Sequence, residues 1–237
     1  LDGRTVAERG DRTRVAPTEP GRVGASRSSD TTRACVRVLG ASPSARGLRS
    51  ARRLLGIDTH RPSANIAIRN LTVNSPCCAG VCIGSEMSGG VEGVYVEDLH
   101  LLSVGQGLRI KAGLGRGGYV RNITYRNVRM ENTVHYAIQV NDFYGSRDPS
   151  CGLRNITARP IVEDITYENV WANGTGGVDF EGLEAQAITG VVMHNVSIEG
   201  VAPGRAFTCS HVSGSSAGVR PAPCKALAGG GIYISST

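Results

Sequence analysis

The chain has 237 residues, with 32 glycines and 5% aromatic residues, a length that suits one or two domains and a composition that indicates turn-rich β structure rather than a helical bundle. No run of about 20 apolar residues is present, so no membrane span is expected. The net charge of +6 arises in residues 1–56, which hold twelve arginines, five acidic residues and no aromatic residue, so the basic, aromatic-bearing face of a nucleic-acid-binding domain is not expected.

Residues 1–59 form an Arg-, Ala- and Ser-rich segment that we predict to be disordered or poorly packed. Within this segment, Ala34–Leu39 is a candidate short strand and Leu48–Leu55 a candidate basic helical turn. No basic-then-apolar leader follows Leu1, so we expect any signal peptide to have been removed or not to be included. We predict residues 60–227 to be the folded domain and residues 228–237 to be a tail.

A strand-like pattern recurs from residue 64 onward, with an apolar residue, a spacer, an apolar or aromatic residue, and then Asn or Asp followed by Val or Leu. Its copies are Ile66–Leu71, Val94–Leu99, Ile123–Val128, Ile165–Val170 and Val191–Val196. Their first residues lie 28, 29, 42 and 26 positions apart, and the long step contains an insertion around residues 143–155. Alternation predicts apolar side chains on the inside, and the Asn or Asp suits a turn that needs a left-handed backbone.

A second series of strand-like segments runs between the copies of the first. Its members are Gly80–Gly84, Gly107–Lys111, Ala137–Asn141 and Gly177–Glu181. The steps between their fourth residues are 27, 30 and 40. Two interleaved series with a shared period near 27 predict a solenoid. Because the L-x-x-L-x-L signature of leucine-rich repeats is absent, we predict an all-β parallel β-helix of about five coils.

The seven cysteines give an odd count, so at least one is expected to be unpaired in an oxidising compartment. They are Cys35, Cys77, Cys78, Cys82, Cys151, Cys209 and Cys224. The cluster of Cys77, Cys78 and Cys82 has no second Cys pair or His pair near it, so no zinc site is expected. The spacing of Cys209 and Cys224 suits a disulfide that closes a terminal loop, which favours secretion and would cover one end of the stack. No cap is evident for the N-terminal end.

Five N-x-S/T sequons are candidate glycosylation sites. They begin at Asn70, Asn122, Asn155, Asn173 and Asn195. A structural interpretation is equally available, because N-I-T also recurs as part of the repeat.

The outward positions of the second series should form ladders along one face of the helix. One ladder contains Arg109 and the next contains Lys111, so the two cations should project side by side from one strand. A guanidinium fork beside an ammonium group suits recognition of a sugar carboxylate. The alternative is a solvated pair of surface charges, which is the commoner fate of charged residues.

Three long strings occur in the same region, namely Gly84-Ser85-Glu86-Met87-Ser88-Gly89-Gly90-Val91, Gly107-Leu108-Arg109-Ile110-Lys111 and Gly115-Arg116-Gly117-Gly118. Together they resemble the motifs of glycoside hydrolase family 28, the polygalacturonases and related pectin hydrolases. Residues 141–145 resemble the family's aromatic position after the next coil, and residues 209–224 its C-terminal disulfide region. The resemblance covers about residues 60–227 and is N-terminally incomplete.

The resemblance implies a right-handed parallel β-helix that acts on pectic polygalacturonate by inverting hydrolysis. It implies that Arg109 and Lys111 bind a galacturonate carboxylate and that Tyr144 shapes a neighbouring subsite. It also implies a secreted protein of the extracellular space or cell wall. We expect an acidic polysaccharide as partner, no cofactor, no metal, no nucleic acid, no membrane, and a monomer.

This sequence departs from the family in the residues that carry the chemistry. The family's N-T-D and D-D motifs precede the G-S-E-M string, but no Asp-Asp pair occurs here, and Ala79 falls near the family's histidine. We therefore expect no catalytic residues and little hydrolysis. The alternatives are a non-catalytic protein that binds acidic polysaccharide, or a truncated structural β-helix. The lysine-free composition of residues 1–59 suggests that an out-of-register reading frame replaces the first coils.

Overall fold

The computed structural model describes residues 36–38, 62–145, 157–202 and 204–228. The described residues form an all-β structure whose only helical element is a 3-10 turn at Lys225–Leu227. The strands are β1 Val36–Val38, β2 Ser63–Gly84, β3 Val91–Lys111, β4 Tyr119–Thr133, β5 Tyr136–Asn141, β6 Ile161–Gly174, β7 Gly177–Glu181, β8 Ile188–Glu199, β9 Phe207–Ser210 and β10 Val212–Arg220.

Every paired strand lies parallel to its neighbour, and the pairs fall into two stacks. The first stack runs β2–β3–β4–β6–β8–β10, and the second runs β1–β2–β3–β5–β7–β9. The long strands β2 and β3 contribute to both stacks, and β2 shifts register against β3 around Ser75 as it turns from one to the other. This is the parallel β-helix that the two interleaved series predict, and it agrees with the right-handed β-helix that the family resemblance implies.

The core is a set of columns in which the inward residue of each coil lies on the equivalent residue of the next. Ile66, Val94, Ile123, Ile165 and Val191 form one such column in register, and each is at least 93% buried. Apolar burial of this kind stabilises the fold by roughly 25 cal/mol per Å² removed from water. Each coil therefore depends on its neighbours for its core.

Aromatic residues extend this column packing. The rings of Tyr125 and Tyr167, one coil apart, are stacked with centroids 5.3 Å apart. Phe180 lies 6.2 Å from Tyr167 in a tilted arrangement. Aromatic pairs in these geometries contribute beyond their buried area. The period of the sequence thus brings identical side chains into contact.

The Asn and Asp residues near the strand ends hold a left-handed turn in each coil. Asp98, Asn127, Asn169 and Asn195 have φ between 52° and 56°. Their side chains form a ladder, in which Asn127 donates to Asp98 (3.0 Å), Asn169 to Asn127 (3.2 Å) and Asn195 to Asn169 (2.8 Å). These residues tolerate the left-handed region because their short polar side chains bond locally. The predicted turn role of this position is confirmed.

The C-terminal end of the stack is closed by a disulfide between Cys209 and Cys224, with Cα atoms 6.3 Å apart. Leu227 follows it and is fully buried, and its carbonyl oxygen accepts a hydrogen bond from Ser216 Oγ at 2.6 Å. The disulfide predicted from the spacing is confirmed. The loop that it closes contains β10, and the 3-10 turn that follows packs against this strand.

At the N-terminal end, three residues of the segment 1–59 extend the second stack. Strand β1 lies within the candidate strand Ala34–Leu39 and pairs with β2 in the register Val36↔Val81 and Val38↔Ile83. It pairs only with the part of β2 that belongs to the second stack. Leu48–Leu55, Cys35, Cys151 and the predicted tail lie outside the described residues or are described only in part.

Candidate functional site

Arg109 and Lys111 lie at the end of β3, on the outward side of a strand whose inward residues are the buried Leu108 and Ile110. Because side chains alternate along a strand, burial of that pair fixes the two cations on the opposite face. The ladders of this face are Cys82–Arg109–Gln139–Asp179–Thr208 and Gly84–Lys111–Asn141–Glu181–Ser210. The ladder arrangement predicted from the sequence is present.

The ring of Tyr144 contacts both cations. Its ring centroid lies 5.4 Å from Arg109 Cζ and 4.7 Å from Lys111 Nζ, both within cation–π range. The turn after β5 carries this ring. Tyr144 N–H donates to the carbonyl of Ala112 at 2.9 Å, and Phe143 N–H donates to Asn141 Oδ1 at 2.7 Å. Three residues singled out by sequence therefore form one cluster, which we call the cationic cluster (Arg109, Lys111, Tyr144).

Burial decides against a pair of merely solvated charges. Lys111 is only 7% exposed, and the Nε atom of the half-buried Arg109 has no hydrogen-bond partner. A buried cationic group without a hydrogen-bonding partner is costly, and an anionic ligand removes that cost. The cationic cluster therefore has the charge and the vacant donor that a carboxylate ligand needs.

The glycine-rich strings hold the ends of β2 and β3 together. Gly118 has φ +69°, and a Cβ there would collide with the carbonyl oxygens of Met87 and Ser88. Gly90, with φ +96°, lies under the ring of Tyr119. Arg116 is 7% exposed and its Nη1 donates to the carbonyl of Ser85 at 3.1 Å. The two strings, residues 84–91 and 115–118, thus contact each other beside the cationic cluster, and we call this contact the glycine-rich brace.

Carboxyl groups occupy the same face one to two coils beyond the cations. Asp179 accepts a hydrogen bond from Gln139 Nε2 at 3.0 Å, and Glu181 accepts one from Asn141 Nδ2 at 2.6 Å. Burial raises the pKa of Asp179, and Glu181 adds to that rise, while the bond from Gln139 and the charge of Arg109 oppose it. Each of these two carboxylates therefore already accepts a hydrogen bond from an amide side chain.

Asp142 is the residue that sequence reasoning missed. It follows β5, is only 1% exposed, and neither of its carboxyl oxygens has a hydrogen-bond partner. Burial, with a smaller contribution from Glu181, raises the pKa of Asp142 to about 7. Its position in the string N-D-F-Y was noted only for the aromatic residue. No sequence pattern signals its burial, which arises from the turn that carries Tyr144.

Cys82 neighbours Arg109 in the first ladder and is buried, with its thiol against the carbonyl oxygens of Ile83 and Gly84. His100, on the first stack, hydrogen-bonds to Glu131 at 3.0 Å. Cys77 and Cys78 are exposed thiols. Across the described residues, no group of three or more His, Cys, Asp or Glu side chains is placed to hold a metal ion.

The sequon asparagines have structural neighbours. Asn195 donates to Asn169 in the turn ladder, and Asn173 Oδ1 accepts from the N–H of Asn132 at 3.0 Å. Asn70 and Asn122 are exposed with φ near 51°. Asn155 lies outside the described residues. Asn195 and Asn173 thus take part in hydrogen bonds within the fold, and glycosylation of the sequons stays a prediction.

The fold and the cluster together define a right-handed parallel β-helix with a cationic, aromatic-covered site on its second stack. Residues 57–220 match the sequence model of the Glycosyl hydrolases family 28. The chain belongs to this family.

Named relatives agree with this assignment. A probable polygalacturonase of Vitis vinifera is 37% identical over 180 residues, covering 73% of this chain and 35% of that protein. A polygalacturonase of Ralstonia nicotianae is 33% identical over 144 residues, covering 57% of this chain and 26% of that protein. The crystal structure of a hyperthermoactive exopolygalacturonase from Thermotoga maritima superimposes with a TM-score of 0.60 at 26% identity, covering 69% of this chain and 35% of that one.

This chain thus spans about a third of the length of these relatives. No helix among the described residues has the length and apolar character needed to cross a membrane.

Proposed function

We propose that this chain binds pectic galacturonan through the cationic cluster. The carrying observation is that the guanidinium of Arg109 and the ammonium of Lys111 lie under one ring, that of Tyr144. A planar guanidinium binds a carboxylate through two parallel hydrogen bonds, and the ammonium adds a point charge. The phenol ring provides an apolar face against which a sugar ring packs. A uronate, which has both a carboxylate and a ring, matches all three groups.

We further propose that this chain hydrolyses the polymer little or not at all. Inverting glycosidases need two carboxyl groups about 6.5–9.5 Å apart, one to protonate the leaving oxygen and one to activate water. The D-D motif of the family is absent from the sequence. Asp142 is buried, and Asp179 and Glu181 already accept hydrogen bonds from amides. These environments support a binding role over a catalytic one.

Titration calorimetry with oligogalacturonate tests the binding proposal. The wild-type chain is compared with the Arg109→Ala/Lys111→Ala double variant and with Arg69→Ala. Arg69 serves as the control because it is 56% exposed and lies on the first stack, paired with Glu97 at 3.4 Å. We expect the double variant to lose at least about tenfold in affinity and Arg69→Ala to bind as wild type does. Equal affinity in all three would refute the proposal and favour a structural β-helix.

A reducing-sugar assay on polygalacturonate tests the second proposal. We expect no turnover above a heat-denatured control. Turnover within about tenfold of an intact family member would contradict it, a difference of about 1.4 kcal/mol in activation free energy. In that case, Asp179→Asn and Glu181→Gln variants would show whether the remaining carboxylates act.

The proposed setting is extracellular, with the chain as a monomer. The Cys209–Cys224 disulfide supports an oxidising compartment, because such bonds are rare in the reducing cytosol. Light scattering of the purified chain tests the monomer, and a thiol count before and after reduction tests the disulfide.

A further inference from the structure

Two buried polar atoms without partners belong to neighbouring residues in one ladder of the second stack. Arg109 pairs in register with Gln139, and Gln139 pairs in register with Asp179. The Nε–H of Arg109 is a donor and the Oε1 of Gln139 is an acceptor, and neither has a hydrogen-bond partner among the described residues. A buried polar group that stays unpaired costs free energy. The two unsatisfied atoms are complementary, so each is a candidate partner for the other.

Asp179 determines which atom of the Gln139 amide is left to accept a hydrogen bond. Gln139 is only 5% exposed, and its Nε2 donates to Asp179 Oδ2 at 3.0 Å. An ionised carboxylate accepts hydrogen bonds and donates none, so the amide must direct its NH2 group to Asp179. The Oε1 atom then remains for the register neighbour on the other side, which is Arg109.

Register neighbours on this face form hydrogen bonds between their side chains. Gln139 and Asp179 are one such pair, and Asn141 and Glu181 in the next ladder are another, at 2.6 Å. Arg109 stands in the same register relation to Gln139, on strands that lie about 4.8 Å apart. A hydrogen bond between these two side chains therefore requires side-chain rotation and no change in the backbone.

Such a bond would restrict how Arg109 meets a ligand. The guanidinium is planar, and its N–H groups form a rigid fork. A carboxylate pairs with two parallel N–H groups, either at the edge formed by the two Nη atoms or at the edge formed by Nε and one Nη. If an acceptor of the protein takes the Nε–H, only the edge with both Nη atoms remains for the ligand, and the plane of the fork is fixed.

We propose that Gln139 is a positioning residue for Arg109. When ligand binds, Gln139 Oε1 accepts the Nε–H of Arg109, and the two Nη atoms are thereby directed to the ligand carboxylate. The inference rests on the proposed function, because the ligand is the uronate bound at the cationic cluster. Asp179 acts one step further away, since it holds the amide of Gln139 in the required orientation. A buried carboxylate thus sets the direction of a guanidinium through an amide.

Nuclear magnetic resonance of the Arg109 Nε–H tests the proposed bond in the full chain. The probe is unesterified trigalacturonate, and the signal is assigned by its loss in Arg109→Lys. On saturation of the wild-type chain with the trimer, we expect this hydrogen to move downfield and to exchange with water about fivefold more slowly or slower still. Gln139→Glu keeps an acceptor and should retain this response, whereas Gln139→Met has no amide oxygen and should lose it.

Calorimetry with the same trimer measures what the positioning contributes to affinity. We expect Gln139→Met to bind about three- to tenfold more weakly than the wild-type chain. The control Gln186→Met makes the same substitution at a half-buried residue in the turn after β7, outside the ladder of Arg109, and should bind as wild type does. Because Gln139→Met leaves Asp179 without its amide donor, thermal unfolding of each variant sets a temperature at which all of them are folded.

Several outcomes would overturn the proposal. If Gln139→Met binds the trimer as wild type does while Arg109→Ala/Lys111→Ala does not, the positioning role is wrong and the proposed function stands. If the Nε–H still slows in Gln139→Met, the ligand itself occupies Nε and the role is again excluded. Equal losses of affinity in Gln139→Met and Gln186→Met would indicate a general effect of the substitution. If the wild-type chain binds no trimer, the proposed function fails and the positioning role fails with it.

Discussion

At the scale of single residues, ionisation of the buried Asp142 opposes folding. Its carboxyl is 1% exposed, and burial together with Glu181 raises its pKa to about 7, from an ordinary value near 4. A raised pKa means that the folded chain holds this proton where the unfolded chain has lost it. Stability is therefore expected to fall as pH rises from about 4 to about 7, and to stay at the lower value above that.

Asp142→Asn removes this dependence. We expect the variant to be more stable than wild type by up to a few kcal/mol at pH 8, with the difference shrinking through pH 6 and vanishing near pH 4. Urea unfolding across this range measures it. Asp98→Asn is the control, since Asp98 is exposed and accepts from Asn127 in a ladder of asparagines. A pH-independent difference for Asp142→Asn would contradict the buried-carboxyl explanation.

At the scale of elements, the glycine-rich brace explains why two sequence strings occur together. A Cβ on Gly118 would meet backbone oxygens of Met87 and Ser88, which have no flexible end that could move aside. Gly204 also has a positive φ, of +80°, but a Cβ there meets nothing within 4 Å. The two glycines share the backbone conformation and differ in surroundings.

Gly118→Ala should therefore cost much more stability than Gly204→Ala. Left-handed strain alone is expected to cost about 1–2 kcal/mol in both variants, and the collision should raise the cost for Gly118→Ala to about 4 kcal/mol or more. Chemical denaturation of the two variants beside wild type makes the comparison. Similar losses would mean that the brace opens easily and does not hold the ends of β2 and β3.

The terminal disulfide gives a further prediction at this scale. It joins residues 15 positions apart and closes the loop that contains β10, directly before the 3-10 turn that packs against this strand. Replacing both cysteines by serine should lower stability by about 3 kcal/mol, mainly because the unfolded chain gains freedom. Reduction of the wild-type chain should produce a similar loss. If reduction leaves the unfolding curve unchanged, the bond does not contribute to closure of this end.

The parts of the site that sequence predicts are those that follow from alternation. Leu108 and Ile110 must face inward, so Arg109 and Lys111 had to share the outward face, and the period then placed Gln139 and Asp179 beside them. Alternation says nothing about what covers that face. The burial of Lys111 and Asp142 depends on the turn carrying Tyr144. These placements depend on contacts between coils, which the period of the sequence does not specify.

At the scale of the whole molecule, the β-helix is a one-dimensional stack in which each coil is stabilised mainly by its neighbours. Strand β4 pairs with β3 on one side and β6 on the other. The first half of β2, from Ser63 to Asn74, pairs with β3 alone among the described residues, because β1 reaches only Val81–Ile83. In a parallel sheet, alternate residues direct their N–H groups to opposite neighbours. An edge strand therefore leaves every second N–H unpaired.

Amide hydrogen exchange should reveal this edge directly. We expect alternating protection along Ile66–Val73, with every second amide exchanging quickly, and continuous protection along Ile123–Met130 in β4. Residue-resolved exchange by NMR measures both patterns in one sample, and β4 is the internal control. Continuous slow exchange along Ile66–Val73 would contradict the open edge. It would mean that another segment, from residues 1–59 or from a second molecule, pairs with β2, and repeating the measurement at several protein concentrations would separate these two sources.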